Sequence, residues 1–95
     1  MARFCIVQMK RRNLTLFIGV IHQKNDEEDF ADIRFIAMTK EEATSELMQV
    51  KQYAIKVLRL NCIIEKEDYI FCKSIDESNT LESFYVERML IIKGE

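Results

Sequence analysis

The chain contains one strong helix signal set against a surplus of strand-like apolar segments. Between Thr39 and about Leu60, apolar residues recur at alternating spacings of four and three, the period of an amphipathic helix. Thr39 and Glu42 have the spacing of a capping box at its start. Because one helix covers only one face of a sheet, the other face must meet water, a second copy of the chain or a partner.

Six further segments are predicted to be strands because they are rich in β-branched and aromatic residues and are separated by short polar stretches. They span residues 3–9, 14–22, 30–38, 61–65, 69–74 and 83–93. The last segment also fits a helical stripe, and we predict a long, bulged strand there with a helix as the alternative. The order is then β-β-β-α-β-β-β, a single α+β domain over residues 1–95. It has a mainly antiparallel sheet of five to six strands with one principal helix on one face.

The segment 14–22 lacks clean alternation of polar and apolar residues, so we expect a central strand that is buried on both faces. Gly19 inside it predicts a bulge or the close approach of another backbone, such as that of the helix, with the approach of a ligand as the alternative. The polar stretch 10–13 is predicted to be the turn of a hairpin between this strand and residues 3–9.

No motif of catalysis or of ligand binding is visible. His22 is the only histidine, there is no glycine-rich phosphate loop, and the acidic runs lack the central glycine of a calcium loop. We therefore expect no enzyme, no cofactor and no metal site. A small-ligand or enzyme site around His22 and Gly19 is the third function considered.

The cysteines give an expectation about the compartment. Cys5, Cys62 and Cys72 are an odd number without metal-ligand spacing, which predicts free, mostly buried thiols in a reducing environment. No apolar run approaches the roughly 20 residues that span a bilayer, so no membrane contact is expected. The sequence thus predicts a soluble cytoplasmic protein.

The favoured function is a protein-binding module that forms a homodimer and then binds a larger protein target. Small inhibitors, immunity proteins, viral accessory factors and adaptors are analogous classes. The uncovered sheet face is predicted to carry Phe30, Ile36, Met38, Tyr85, Met89 and Ile91. The acidic loop residues Asp26, Glu27 and Glu28 are predicted to contact a basic surface on the partner.

The alternative function is nucleic-acid binding. Its candidate phosphate contacts are the predicted hairpin residues Lys10, Arg11 and Arg12 together with Lys51, Lys56 and Arg59 of the helix end. The net charge of −2 argues against it, since a dedicated nucleic-acid binder usually carries a clear basic excess.

Overall fold

The computed structural model describes residues 11–93, including the side chains of residues 13–90. The elements are β1 (Arg11–Lys24), β2 (Asp29–Ala37), α1 (Lys40–Lys56), β3 (Asn61–Lys66), β4 (Tyr69–Lys73) and β5 (Thr80–Lys93). The five strands form one antiparallel sheet in the order β2-β1-β5-β4-β3, and the α+β prediction is confirmed. The first predicted strand, residues 3–9, lies outside the described residues.

The predicted N-cap begins α1. The Thr39 hydroxyl accepts a hydrogen bond from the Glu42 amide at 3.2 Å, which satisfies one of the free N–H groups of the first turn. The Glu42 carboxylate accepts from the amide of Met38 at 3.3 Å, one residue before the partner that a standard capping box uses. The sequence signal therefore places the helix start correctly.

The helix ends at Lys56, earlier than predicted, because the chain turns sharply there. Arg59 adopts a left-handed conformation with φ 57°, and the Leu60 amide donates to the Ala54 carbonyl at 2.9 Å. This turn places Leu60 in the core, where only 4% of it is exposed.

The core lies between α1 and one face of the sheet. The helix contributes all of its predicted apolar stripe except Val57, which follows the last helical residue and is 61% exposed, and the sheet contributes residues from β1, β2, β4 and β5. The buried members are Ala43, Leu47, Val50 and Ala54 of the helix and Phe17, Ala37, Ile70, Cys72, Leu81 and Tyr85 of the sheet, together with Leu60. The small residues at positions 43 and 54 are fully buried, so the helix lies close to the strands.

β1 is an interior strand of the sheet between β2 and β5, but the prediction that it is buried on both faces is wrong, because Leu14, Leu16, Ile18 and Val20 on the side away from α1 are only half-buried. β1 also begins earlier than predicted. Residues 11–13 pair with residues 91–93 of β5, so the hairpin turn predicted at these positions is wrong. These polar residues form a strand because the end of β5, which is distant in sequence, pairs with their backbone. Lys10 lies outside the described residues.

The ambiguous segment 83–93 is a strand, as predicted, but it is not bulged against β1. The register between β1 and β5 runs without a shift from Arg11 opposite Lys93 to Lys24 opposite Thr80. The bulges lie instead at the Gly19–Val20 step of the β1–β2 pair and between Cys62 and Ile64 in the β3–β4 pair.

Gly19 marks both a bulge and a close approach. A Cβ atom built on Gly19 would collide with the ring of Phe35, which lies directly across on β2. The approaching group is thus an aromatic ring of the neighbouring strand, whereas the sequence suggested the helix backbone. An aromatic ring that covers a glycine of the adjacent strand fills the space of the missing side chain.

Gly19→Ala is expected to destabilise the fold by about 1–3 kcal/mol, because the new methyl group overpacks the site and displaces the Phe35 ring. Urea unfolding measures the loss. In the double variant Gly19→Ala/Phe35→Leu the smaller side chain leaves room, so the combined loss should be less than the sum of the two single losses. Simple additivity would contradict this account of the contact.

The cysteines differ from the expectation of free thiols. Cys62 and Cys72 lie directly opposite each other on β3 and β4 and form a disulfide across the hairpin. The odd number of cysteines in the sequence gave no sign of this pair. The third cysteine, Cys5, lies outside the described residues. The prediction of free thiols is therefore wrong for Cys62 and Cys72.

A disulfide that closes a loop of this length is expected to stabilise the protein by about 2–3 kcal/mol. A reducing agent should lower the urea midpoint of the wild type. The variant Cys62→Ala/Cys72→Ala should unfold at the same midpoint with and without the reducing agent. A wild-type midpoint that ignores the reducing agent would contradict the bond.

Candidate interaction surface

The sheet has one face covered by α1 and one that α1 does not cover, and the strand register assigns each side chain to one of them. Residues directly opposite in antiparallel strands share a face. We use the name open face for the apolar residues on the side away from α1. They are Leu14, Leu16, Ile18, Val20, Ile33, Ile36, Ile64, Tyr69, Phe71, Phe84, Val86 and Leu90.

These residues form continuous rows across the strands. One row runs Ile33, Val20, Phe84 and Tyr69, across β2, β1, β5 and β4. The next runs Ile36, Ile18 and Val86. Further along the two longest strands, Leu14 lies opposite Leu90. Such cross-strand apolar contacts stabilise the sheet and make an apolar surface. The polar side chains on the same face include Arg88, which lies opposite Leu16, and the opposed pair His22 and Glu82.

The most accessible part of the open face lies on its outer strands. On the edge strand β2, Ile33 is 58% exposed and Ile36 62%, whereas Ile18, Val20, Phe84 and Val86 on the interior strands are half-buried. Leu90 is 46% exposed because it lies near the end of β5, beyond β2 and β4. No described element packs over these side chains. Large apolar residues exposed together in this way are typical of a surface that binds another molecule.

Paired polar groups border the apolar rows. The His22 Nε2 and a carboxylate oxygen of Asp29 are 2.6 Å apart, and the hydrogen bond holds the pKa of Asp29 below its ordinary value. The Tyr69 hydroxyl donates to the Glu82 carboxylate at 2.8 Å, and this bond raises the pKa of Tyr69. An apolar centre with a polar border is the usual anatomy of a protein interface.

Of the residues predicted for the uncovered face, Ile36 lies there and Tyr85 does not. Tyr85 lies on the side of α1 and is 7% exposed. Its ring packs edge-on against Phe17 with centroids 5.8 Å apart, and its hydroxyl is 3.3 Å from that of Thr44 on the helix. The alternation within β5 was read correctly, but the sequence did not show which of its two faces the helix covers.

The other predicted residues lie at the margins. Phe30 is opposite Gln23 on the side of α1 and is 44% exposed at the edge of the sheet. Met38 follows β2 and is 54% exposed. Met89 is also on the side of α1, beyond the reach of the helix, and is 66% exposed. The side chain of Ile91 lies outside the described ones.

The acidic loop between β1 and β2 is ordered by its own hydrogen bonds. The side-chain oxygen of Asn25 accepts from the amides of Glu27 and Glu28, at 2.8 and 2.7 Å. Asp26, Glu27 and Glu28 are exposed, as a contact surface requires. An Asx turn of this kind fixes the direction in which the loop leaves the strand.

The loop between β4 and β5 lies at the same end of the sheet, since Thr80 of β5 is opposite Lys24 of β1. Its centre is Asp76, which accepts from the hydroxyls of Ser74 and Ser78, each at 2.7 Å. These bonds, with a further one from the Ser78 amide, lower the pKa of Asp76 from 3.8 to about 2. Two polar, acidic turns therefore border this end of the open face.

Asp76→Asn should reduce stability only where the wild-type carboxylate is ionised in the folded state. Because folding lowers its pKa, its contribution is present above the unfolded value near 3.8 and is lost as the pH falls towards about 2. Unfolding measured from about pH 6 to about pH 2 should show the wild type and the variant converging at the acid end. A constant difference across that range would contradict the assignment.

The basic residues of the nucleic-acid alternative do not form one patch. Lys51 is paired with Glu65 of β3, at the far edge of the sheet from β2. Arg59 precedes β3, and the first residue of β3, Asn61, lies in the same cross-sheet row as Lys24 at the end of β1. Arg11 is at the opposite end of β1, roughly 40 Å along the strand.

The other members of that set are equally dispersed. Lys56, in the last turn of α1, is exposed near the same end as Arg59, and the backbone of Arg12 is opposite Ile92 in β5. The structure thus divides the predicted phosphate contacts between two ends of the molecule.

The third candidate site is divided as well. His22 lies on the side of the open face, whereas Gly19 lies on the side of α1 beneath the Phe35 ring.

Among the residues that the structure describes, no group of three or more His, Cys, Asp or Glu side chains is placed to hold a metal ion. Within the same residues, no helix has both the length and the apolar character needed to cross a bilayer.

No family model, no curated protein and no solved structure matches this chain. The assignment of function therefore rests on the surfaces described above.

Proposed function

We propose that the protein is a small non-enzymatic protein-binding module whose open face docks against the open face of a second copy. The observation that carries this proposal is the set of apolar rows on the side of the sheet away from α1. Leaving such a surface in water costs free energy in proportion to its area, and contact with an identical surface removes that cost for both copies.

The size of the open face suits this role. Strands about 4.8 Å apart and a rise of about 3.4 Å per residue give an area on the order of 400 Å² for the open-face residues between the Leu14 row and the Phe71 row. A stable interface of standard size uses about 800 Å² per partner, and the polar border adds to the apolar area. Face-to-face packing of two sheets is also a common architecture, with layers about 10 Å apart.

The dimer would act on a larger protein through its charged loops, in the manner of an inhibitor, an immunity or accessory factor, or an adaptor. The acidic turns that contain Asp26–Glu28 and Asp76 lie together at one end of the sheet, where a basic surface on a target would meet them. The cytoplasmic compartment stays a prediction, and the Cys62–Cys72 bond favours an oxidising environment instead.

Ile36→Glu tests the face-to-face contact. Ile36 is 62% exposed, so the change should cost the folded monomer little, yet it would bury two unpaired carboxylates in a two-fold interface. Self-association should weaken by about a hundredfold or more, and the particle mass measured by sedimentation equilibrium should halve.

Ile75→Glu is the matched control. Ile75 lies in the β4–β5 loop and is 93% exposed, so the same substitution there should leave the mass unchanged. Equal masses for the wild type, Ile36→Glu and Ile75→Glu would refute the open face as a self-association surface.

A further inference from the structure

Within residues 11–93, no strand pairs with the outer edge of β5 over its second half. β4 follows β5 only as far as Phe84, and beyond it the Tyr85 amide donates to the Asp68 carbonyl at 3.2 Å. From Val86 to Lys93, β1 is the one strand that pairs with β5 within the described part of the chain. A two-stranded ribbon is marginally stable in water, and a long apolar edge is a template for another strand.

The hydrogen bond of Tyr85 fixes which backbone groups point outwards. Because the Tyr85 amide points away from β1, alternate residues in the same strand do so too. The N–H and C=O groups that point towards the outer edge therefore belong to Glu87, Met89, Ile91 and Lys93. The intervening residues bond to β1.

We propose that this edge pairs antiparallel with the same edge of a second copy, about a two-fold axis that passes beside Leu90. A two-fold axis perpendicular to a sheet places one residue opposite its own counterpart. The possible centres in this segment are positions 88, 89, 90 and 91, and each one dictates every other pair.

The sequence selects the centre at Leu90. In that register Glu87 is opposite Lys93 of the second copy, and Met89 is opposite Ile91, in each case twice by symmetry. Opposite charges thus face each other at both ends of the pairing, and Leu90 faces Leu90, while Arg88 lies opposite Ile92.

The other centres create mismatches. A centre at 88 places two arginines opposite each other, and a centre at 89 places Glu87 opposite Ile91. A centre at 91 places Met89 opposite Lys93. Like charges directly opposite are destabilising, and a charge opposite an apolar residue forgoes a favourable pair. The centre at Leu90 also has one such mismatch, Arg88 opposite Ile92, but of the four centres it alone gains an opposite-charge pair.

This edge contact goes beyond the proposed function, because it uses a surface separate from the face-to-face contact. It would join two sheets into one continuous sheet with both helices on the same side. If both contacts form, the assembly is a dimer of dimers with perpendicular two-fold axes, which is a common arrangement for homo-oligomers.

Cross-linking tests the register directly. In a Cys5→Ser background, Leu90→Cys would place two thiols opposite each other, with Cα atoms about 4.5 Å apart, within reach of a disulfide after slight adjustment. Arg88→Cys is the matched control on the same strand and face, because its two copies would be roughly 14 Å apart.

Mild oxidation should give a covalent dimer with Leu90→Cys and little or none with Arg88→Cys, and peptide mapping should place the bond at position 90. Equal cross-linking of both variants, or none with Leu90→Cys, would overturn the register. The second outcome is the one expected if residues 1–10 of the same chain occupy the edge.

A charge exchange tests the same pairing without new thiols. Glu87→Lys and Lys93→Glu should each weaken edge association by about tenfold, since each puts like charges opposite each other twice. The double variant should restore the wild-type constant. Glu28→Lys, which makes the same change in an exposed loop, is the control. Failure of the double variant to recover would overturn the pairing of these positions.

Combining the variants separates the two contacts. The masses are compared at a protein concentration between the dissociation constants of the wild type and of the variants. If both contacts form, Ile36→Glu and Glu87→Lys each give dimers from a tetramer, and the combination gives monomers. If Ile36→Glu has no effect but Glu87→Lys gives monomers, the edge contact stands and the proposed face contact fails. If Glu87→Lys leaves the mass unchanged, the edge contact is overturned whatever Ile36→Glu does.

Discussion

The pairing of β1 with β5 is the constraint on which the rest of the structure depends. The two longest strands lie together in register from Arg11–Lys93 to Lys24–Thr80 and join the N-terminal and C-terminal parts of the described chain. Every other strand is attached to this pair: β2 pairs with β1, and β4 pairs with β5 and carries β3. Since its contacts are far apart in sequence, this pairing is also the slowest to find during folding.

The length of these two strands creates both candidate surfaces. β2 reaches only Phe17 on β1, and β4 reaches only Phe84 on β5, so the pair continues alone beyond the helix-covered core. The helix has seventeen residues and covers one side of the sheet. β1 and β5 extend further along the sheet than β2, β4 and α1. This difference leaves an apolar face of the sheet and an outer edge of β5 uncovered by the other described elements.

The sequence predicted local structure better than long-range arrangement. The start of α1 was evident because Thr39 and Glu42 are close together and their capping bond is local. The orientation of Tyr85 was not, because alternation along a strand defines two faces without saying which one a helix covers. The strand position of Arg11 depends on Lys93, and the Cys62–Cys72 bond depends on the β3–β4 register, so neither could be read from neighbouring residues.

The two proposed contacts are consistent with the small size of the domain. A chain of 95 residues buries a limited core, and here much of its apolar surface, including Ile18, Val20 and Phe84, lies outside the helix-covered layer. Association would convert that surface into additional core and would shelter the ribbon edge that invites uncontrolled strand pairing. Stability would then depend on concentration, so the same apolar rows that suit this protein to binding would also help to keep it folded.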